Sequence, residues 1–225
     1  TSGHFQGQLT AEVQPMKHAA VEAHWETEGP AALSLFAIPD MEQGRNRVNV
    51  AIPHGLSLLT HHSWTAEVEG INPLQAEYEA TFGPGDYRPP VATVYWSFRV
   101  MVGVGFGLIG LGALGAWLLY RNRLYETTWF HRIALLTLPL PFLANITGWV
   151  VTEIGRQPWT VYGVLLTRES VSPSVTTTSV LISLIGFTVL YGILAVVDVY
   201  LMVRYARAGA GEETTPAEVG AGLAY

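Results

Sequence analysis

The chain has 225 residues, of which 49% are hydrophobic and only 13% are charged, and its formal net charge is −6. Soluble domains carry about 25% charged residues, so this composition argues against a wholly soluble protein. The chain contains no cysteine, which excludes disulfides and thiolate metal sites, and it has no Lys/Arg cluster that would suggest nucleic acid. Its first residue is Thr1 rather than Met, which suggests the downstream part of a longer polypeptide.

The first part of the chain, residues 1–92, is polar and is called the polar segment below. Within it, "QPMKHAAVEAHWET" predicts a helix with Pro15 in its first turn. Lys17 and Glu22 lie about 140° apart around such a helix, so their spacing alone would make both of them solvated surface charges. Two apolar stretches, "ALSLFAIPD" and "VNVAIPHGL", have the length of strands or loops. We therefore expect an irregular loop domain that contains a short helix.

The same helix carries a histidine and a glutamate at i, i+4 spacing, His18 and Glu22. Such a pair can bind a metal ion, and Glu26 continues the row. Three groups strung along two helical turns cannot easily converge on one ion, so we expect no metal site here.

Three uncharged stretches of 19, 20 and 24 residues follow, and they begin at Val102, Ile133 and Ser174. Each is long enough to cross about 30 Å of hydrocarbon at about 1.5 Å per residue. The sequence therefore predicts a three-helix transmembrane region over residues 93–207, with helices at about 94–120, 130–153 and 174–204. Pro139 and Pro141 should kink the second helix.

The basic residues at the ends of the spans predict the orientation of the chain. They follow the first and third spans: Arg121, Arg123, Arg132, Arg204 and Arg207. The positive-inside rule places these ends in the cytoplasm. The polar segment and the loop 154–173 are then extracytoplasmic. The acidic tail, residues 208–225, is predicted to be cytoplasmic and disordered.

The stretch "GWVVTEIGRQPW", residues 148–159, places a carboxylate at the end of the second span. Asn145, Trp149 and Glu153 recur every four residues and therefore share one helix face. A carboxylate here can simply lie among lipid headgroups, but ionisable residues at membrane depth usually mark functional sites. Arg156 can either neutralise Glu153 or bind an anionic ligand group.

The first span opens with "YWSFRVMVG", residues 95–103. Arg99 has the position of a residue whose charged end extends to the headgroups. Met101 is most simply interpreted as an apolar side chain that packs in the core or faces lipid. Its thioether is, however, also a recognised axial ligand of haem iron. The two side chains lie about 200° apart on a helix, so we do not expect both to contact the same group.

Together these stretches resemble subunit I of the cytochrome bd quinol oxidases of prokaryotes. "QPMKHAAVEAHWET…LFAIPD", "YWSFRVMVG" and "GWVVTEIGRQPW" match that family in type, order and approximate spacing, and "GRQPW" after "GWxxxE" is the most specific of them. The resemblance covers residues 3–207 and corresponds to the downstream half of such a subunit. It implies an all-α integral membrane protein, in which three helices of a larger helical bundle follow an extracytoplasmic quinol-binding loop of the short form.

The resemblance also implies haem ligands. Met101 matches the axial ligand of the low-spin haem b, and Arg99 matches the arginine of the same motif. Glu153 matches the carboxylate that ligates the high-spin haem b. Trp149 matches a tryptophan that lies between haems and takes part in electron transfer.

The remaining implied site residues belong to two groups. Arg156, Gln157 and Trp159 match the cofactor-binding motif near the high-spin haem b and haem d. Lys17 and Glu22 match the lysine and glutamate implicated in quinol oxidation.

The implied activity is that of a quinol:dioxygen oxidoreductase in the prokaryotic cell membrane, which reduces dioxygen to water and generates a proton gradient without pumping. The cofactors would be low-spin haem b, high-spin haem b, and haem d or a haem b in its place. The partners would be the upstream half of subunit I with its histidine ligands, subunit II, small single-span subunits, membrane quinol and lipid, with no nucleic acid.

Two other interpretations stay open on the residues alone. One is a haem-free transporter or assembly subunit, for which Asp198 in the third span is the kind of residue that a proton-coupled carrier would use. The other is a structural half-subunit that is active only with its upstream part.

Overall fold

The computed structural model describes residues 2–208, apart from the side chains of Ser2 and His4. Its helices and strands follow one another as α1 (Ser2–Val13), α2 (Pro15–Glu22), β1 (Leu33–Asp40), β2 (Arg45–Ile52), α3 (Gly55–His61), α4 (Ile71–Phe82), α5 (Val91–Tyr120), α6 (Thr128–Leu136), α7 (Leu140–Ile154), β3 (Trp159–Val161), β4 (Leu165–Leu166) and α8 (Thr177–Ala208). The disorder predicted for residues 209–225 concerns a part of the chain outside the described residues.

Three helices are long and apolar enough to cross a membrane: α5, the broken helix Thr128–Ile154 and α8. The predicted helical membrane fold is therefore confirmed. The second span is interrupted between α6 and α7, at the position of Pro139. Pro139 and Pro141 lack an N–H to donate, and their rings crowd the preceding turn, so the predicted kink is confirmed as a break.

The polar segment is more ordered than we expected. It contains four helices and an antiparallel hairpin, in which β1 pairs with β2 from Leu33 opposite Ile52 to Asp40 opposite Arg45. Asp40 supports the hairpin turn, since its carboxylate accepts the backbone N–H groups of Glu42 and Gln43. The chain is mostly helical, as predicted, and the two apolar stretches, whose length suits strands or loops, form a strand pair within the polar segment. The apolar stretches pair with each other and thereby satisfy their backbone hydrogen bonds.

Helix α2 begins at Pro15, as predicted, but it ends earlier than the stretch we assigned to it. Ala23 adopts a left-handed conformation with φ of 48° and terminates the helix directly after Glu22. The C-terminus of a helix carries partial negative charge. Glu22 thus places a negative charge at the helix end where negative charge is unfavourable. A positive group from another element is needed to compensate that charge.

The main core lies where the polar segment meets the first turns of α5 and the last turns of α7. It is formed by apolar side chains from α2, α4, α5 and α7, including Met16, Ile71, Val94, Tyr95 and Val151, which are all at most 9% exposed. Helices α5 and α7 also pack directly against each other. This core fixes the position of α2 relative to the ends of two membrane helices.

Beyond Val171 the chain forms a second unit, whose described part is essentially the helix α8. Its long apolar side chains are exposed throughout. Asp198 is also exposed on this helix.

Gly70 is a position where the fold leaves no room for a side chain. A Cβ atom at this residue would lie 2.6 Å from Glu26 Cα and would overlap the backbone of Glu26. We expect Gly70→Ala to destabilise the polar segment by about 1 to 3 kcal/mol, as overpacking does elsewhere. Limited proteolysis of the assembled protein should then cut this segment faster.

Gly85→Ala is the matched control for this prediction, because its Cβ would make only ordinary contacts with the Tyr87 ring, at 3.6 Å. Equal proteolysis rates for the two variants would contradict the close packing of Gly70 on Glu26.

Candidate functional site

A cavity of about 720 Å³ lies between α1, α2 and α3 on one side and α5 and α7 on the other. Its volume is within the range of about 300 to 1,000 Å³ that is typical of small-molecule sites. The side chains that matter most for its chemistry are Lys17, His18, Glu22, Phe98 and Met101. The structure therefore brings the predicted quinol residues and the predicted haem ligand Met101 to one cavity.

A buried ion pair joins the polar segment to the first membrane helix. Arg99 on α5 donates a hydrogen bond of 2.6 Å to Glu22 at the end of α2. Arg99 also donates to the backbone carbonyl of Ser34 on β1, from Nη2 at 2.5 Å and from Nε at 3.1 Å. Glu22 is therefore not the surface charge that its spacing suggested, since it is only 7% exposed. Arg99 likewise directs its charge into the protein, because its side chain is only 17% exposed.

The guanidinium of Arg99 is held in place by several neighbours. It lies over the ring of Tyr95, with its central carbon 4.7 Å from the ring centroid. Tyr95 donates from its hydroxyl to the same Ser34 carbonyl at 3.1 Å. Because a cation over an aromatic face is stabilised by the ring, this cluster fixes a positive charge beside Glu22.

Two opposing effects act on the Glu22 carboxyl. Burial raises its pKa, and the charge and hydrogen bond of Arg99 lower it, with burial the larger effect. The net result is a pKa above the usual value for glutamate. A buried carboxyl with a raised pKa binds a proton more readily than an ordinary glutamate, which suits a proton acceptor.

Lys17, on α2, reaches across to the C-terminal end of α7. It donates from Nζ to the backbone carbonyl of Thr152 at 3.3 Å. The last carbonyls of a helix lack partners within the helix and favour a cation, which explains this contact. Burial lowers the pKa of Lys17, the charge of Arg156 lowers it further, and Glu153 opposes both effects. Lys17 is thus electrostatically linked to the "GRQPW" motif.

Met101 lies on the face of α5 that packs against α7. A Cβ atom added at Gly148 would lie 3.1 Å from the Met101 sulfur, so the glycine makes room for the thioether. Met101 is half-buried and lines the cavity. Arg99 and Met101 contact different groups in a regular helix, as their wheel positions predicted.

Glu153 and Arg156, near the end of α7, form an ion pair with each other. Their side chains are 46% and 37% exposed, respectively. Trp149, one turn before Glu153, is 59% exposed, and Asn145 is exposed as well. The predicted stripe therefore faces away from the core of this chain and is accessible to a ligand or to another helix.

Gln157 and Trp159 contribute mainly to the loop after α7. Gln157 accepts a hydrogen bond of 2.9 Å from Thr167. Trp159 is 3% exposed, and its ring stacks on Tyr87 with the two centroids 5.6 Å apart. In the described structure both side chains thus support the loop, and their predicted cofactor contacts stay predictions.

The residues present fit haem groups, as judged from the donor chemistry. Met101 is half-buried and lines the cavity, and a thioether is an axial ligand of haem iron. The Glu153 side chain is 46% exposed, so its carboxylate is accessible to an iron-bearing group. The Nε of Arg156 is a buried donor without a hydrogen-bond partner, which an anionic group such as a propionate would satisfy. Among the residues that the structure describes, His, Cys, Asp and Glu form no cluster of three or more that could hold a bare metal ion.

The fold and the site together define a class: a helical membrane protein with a ligand cavity where an ordered polar segment meets two membrane helices. The model of the family "Cytochrome bd terminal oxidase subunit I" matches residues 1–210. The chain therefore belongs to the cytochrome bd subunit I family, and the resemblance stated from the sequence is confirmed.

Curated relatives and a solved structure agree with this assignment. The chain is 46% identical over 210 residues to cytochrome bd ubiquinol oxidase subunit 1 of Bacillus subtilis (strain 168), a match that covers 93% of this chain and 45% of the relative. It is 32% identical to cytochrome bd-II ubiquinol oxidase subunit 1 of Escherichia coli (strain K12), covering 88% of this chain and 50% of the relative. The bd oxidase from Geobacillus thermodenitrificans superposes with a TM-score of 0.71 at 31% identity, covering 92% of this chain and 45% of that chain.

The chain thus spans about half the length of the curated relatives that it matches. The alignment with the E. coli relative runs over 256 residues, more than the 225 of this chain. That relative must therefore carry inserted residues inside the matched region. The short form of the loop in this chain stays a prediction.

Sequence reasoning missed two parts of the site. The Ser34 carbonyl, which accepts from both Arg99 and Tyr95, carries no signal in a sequence because it is a backbone group. The Thr152 carbonyl that binds Lys17 is a second such group, although the C-terminus of a helix is a predictable place for a cation.

Proposed function

We propose that this chain is the quinol-binding part, and one portion of the haem-binding part, of a terminal oxidase that oxidises membrane quinol and reduces dioxygen to water. The observation that carries the proposal is the single cavity lined by Lys17, Glu22 and Met101. The names of the Bacillus and Escherichia relatives, both ubiquinol oxidases, support a quinol as the substrate class.

Glu22 is the proposed proton acceptor for a quinol hydroxyl. Its raised pKa favours uptake of a proton, and the Arg99 guanidinium at 2.6 Å holds the carboxylate in one orientation. Lys17, which lines the same cavity, would donate a hydrogen bond to a quinol oxygen and would stabilise negative charge that develops there. Phe98 and Val151 supply apolar surface for the quinol ring.

Met101 would hold the low-spin haem b and Glu153 the high-spin haem b, with haem d or a further haem b at the oxygen site. When bound, the haems supply one-electron chemistry and the reduction of dioxygen. Arg156 would neutralise a haem propionate, and the exposed ring of Trp149 would fill space between macrocycles. Gln157 and Trp159 would hold the loop against these groups.

The remaining parts of the proposal concern the assembly and its location. We place the complex in the prokaryotic cell membrane, with the polar segment and the loop 154–173 outside, on the basis of the basic residues around the opposite ends of the spans. The upstream half of subunit I would supply histidine ligands, and subunit II and small single-span subunits would complete the complex. Proton release outside and uptake inside would generate the gradient without a pump.

The test is a pair of measurements on the purified complex that contains this chain. We expect quinol-dependent oxygen consumption and haem bands in the dithionite-reduced minus oxidised visible spectrum. A complex without a Soret band would contradict the proposal and favour the haem-free transporter or assembly subunit. Haem bands that are lost when the upstream half is removed would identify this chain as a half-subunit that depends on its partner.

A further inference from the structure

A second cavity, of about 540 Å³, adjoins the quinol cavity proposed above. Three side chains line both cavities and therefore form the wall between them: Gln8, His18 and Thr60. These residues are also hydrogen-bonded to one another, since Gln8 donates to the Thr60 carbonyl at 3.3 Å and the His18 Nε2 lies 3.3 Å from the Thr60 hydroxyl. The wall is thus polar and contains one titratable ring.

The sequence gives His18 a defined position relative to the proposed proton acceptor. His18 and Glu22 are at i, i+4 on α2, so they share a helix face with about 5 to 6 Å between their Cβ atoms. We expected no metal site at this pair, and the described side chains form no group of three His, Cys, Asp or Glu around it. The same spacing instead places an imidazole one helical turn from a buried carboxyl, beside a cavity that suits quinol.

The titratable and charged groups around His18 and the two cavities that it lines come from several elements. They are titratable or charged side chains of α1, α2, α3 and the connecting loops: Glu12, Lys17, Glu22, His24, His61, Glu67 and Glu69. Burial lowers the pKa of His18 to about 4, with smaller contributions in the same direction from His24 and His61. The ring is therefore neutral at neutral pH and has a free nitrogen. Taking a proton from Glu22, whose pKa lies above that of His18, is uphill, so the ring holds the proton only briefly and gives it up readily.

The second cavity leads toward solvent. The carboxylates of Glu12, Glu67 and Glu69 line it and belong to exposed residues. A cleft lined by one sign of charge attracts the opposite ion. These acids therefore favour the departure of a proton from His18 in the direction away from the membrane helices.

We propose that His18 relays protons from the quinol cavity through the wall into the acidic second cavity. The inference rests on the proposed quinol oxidation. Each quinol that becomes a quinone breaks two O–H bonds, gives two electrons to the haem irons of the oxidase and releases two protons. Glu22 accepts a proton first and His18 then takes it on its unprotonated ring nitrogen. Release to solvent in the second cavity restores the neutral ring.

The test uses His18→Ala in the oxidase complex that contains this chain. Loss of a proton-transfer group lowers the kcat of quinol oxidation by about a hundredfold, whereas the KM for quinol changes little because Lys17 and Glu22 remain. Imidazole added to the medium should occupy the space vacated by the ring and restore part of the rate. His54→Ala is the control, since this half-buried ring is bonded to the Trp64 carbonyl at 2.9 Å and lines neither cavity.

Wild-type kcat in His18→Ala, or a lost rate that imidazole does not restore although the haem spectrum is unchanged, overturns the relay. If His18→Ala fails to assemble, the similarly sized His18→Gln decides, because a relay predicts lower kcat at unchanged KM and a structural role does not. A wild-type complex that binds haem but does not oxidise quinol would instead overturn the proposed function itself.

Discussion

Glu22→Gln is expected to lower the rate of quinol oxidation by about a hundredfold to ten-thousandfold, the range typical of losing a general acid–base group. The glutamine keeps the shape of the side chain and can still accept from Arg99, which lies 2.6 Å from the carboxylate. It cannot take up a proton. The measurement is steady-state oxygen uptake with quinol, together with the visible difference spectrum as a check of assembly.

The control for this prediction is Glu28→Gln, a change at an exposed acid of the same segment that lines neither cavity. We expect its activity to remain near that of the wild type. If Glu22→Gln retains full activity with normal haem bands, the carboxyl does not act as proton acceptor, and the Arg99 pair has only a structural role.

The pH dependence gives an independent check of the same carboxyl. Burial raises the pKa of Glu22, and Arg99 opposes the increase. The ionised form accepts the proton, so the rate should fall as the pH decreases through the raised pKa. Arg99→Gln removes the opposing charge and should move this acid limb to higher pH by about 1 to 3 units. A limb that moves to lower pH, or stays in place, would contradict the electrostatic role of Arg99.

The membrane helices could be predicted from sequence because their signal is local. An uncharged run of about 20 residues has few alternatives to a membrane helix, and the break between α6 and α7 follows from two prolines whose effect is confined to adjacent turns. The start of α2 at Pro15 could be predicted for the same reason, because a proline in the first turn of a helix is a local signal.

The central contact of the site could not be predicted in this way. Arg99 and Glu22 are 77 residues apart in the chain, and each alone reads as an ordinary charge near a surface. Their pairing depends on how the hairpin β1–β2 and the helix α2 dock on α5, which is decided by packing of the shared core. The motif resemblance predicted a function for both residues but did not show that they touch.

Trp159 illustrates the opposite case. Its motif suggested a cofactor contact, yet its ring is buried against Tyr87 and Phe82. A residue in a specific motif can be required because it positions the loop that carries Arg156. Sequence reasoning cannot separate that role from direct binding, since both keep the same residue at the same spacing.

Met101→Leu is expected to remove the low-spin haem b signal or to lower its midpoint potential by about 0.1 V, a fraction of the roughly 0.8 V over which axial ligands set haem potentials. A thioether ligand raises the potential, so its loss should shift the value downward. Leucine has a similar volume and fits beside Gly148. A Cβ atom added at Gly148 would lie 3.1 Å from the Met101 sulfur. The measurement is a redox titration of the visible difference spectrum in the complex.

Met202→Leu supplies the matched control, because this methionine also lies on a membrane helix, α8, and is 64% exposed. It should leave every haem band and potential unchanged, which separates the loss of a ligand from a general effect of replacing a thioether in the membrane. If Met101→Leu keeps the low-spin band at its wild-type potential, Met101 is packing between α5 and α7 and the axial ligand lies elsewhere. The proposed quinol site would then depend on Lys17, Glu22 and Arg99 alone, because none of their contacts involves the methionine sulfur.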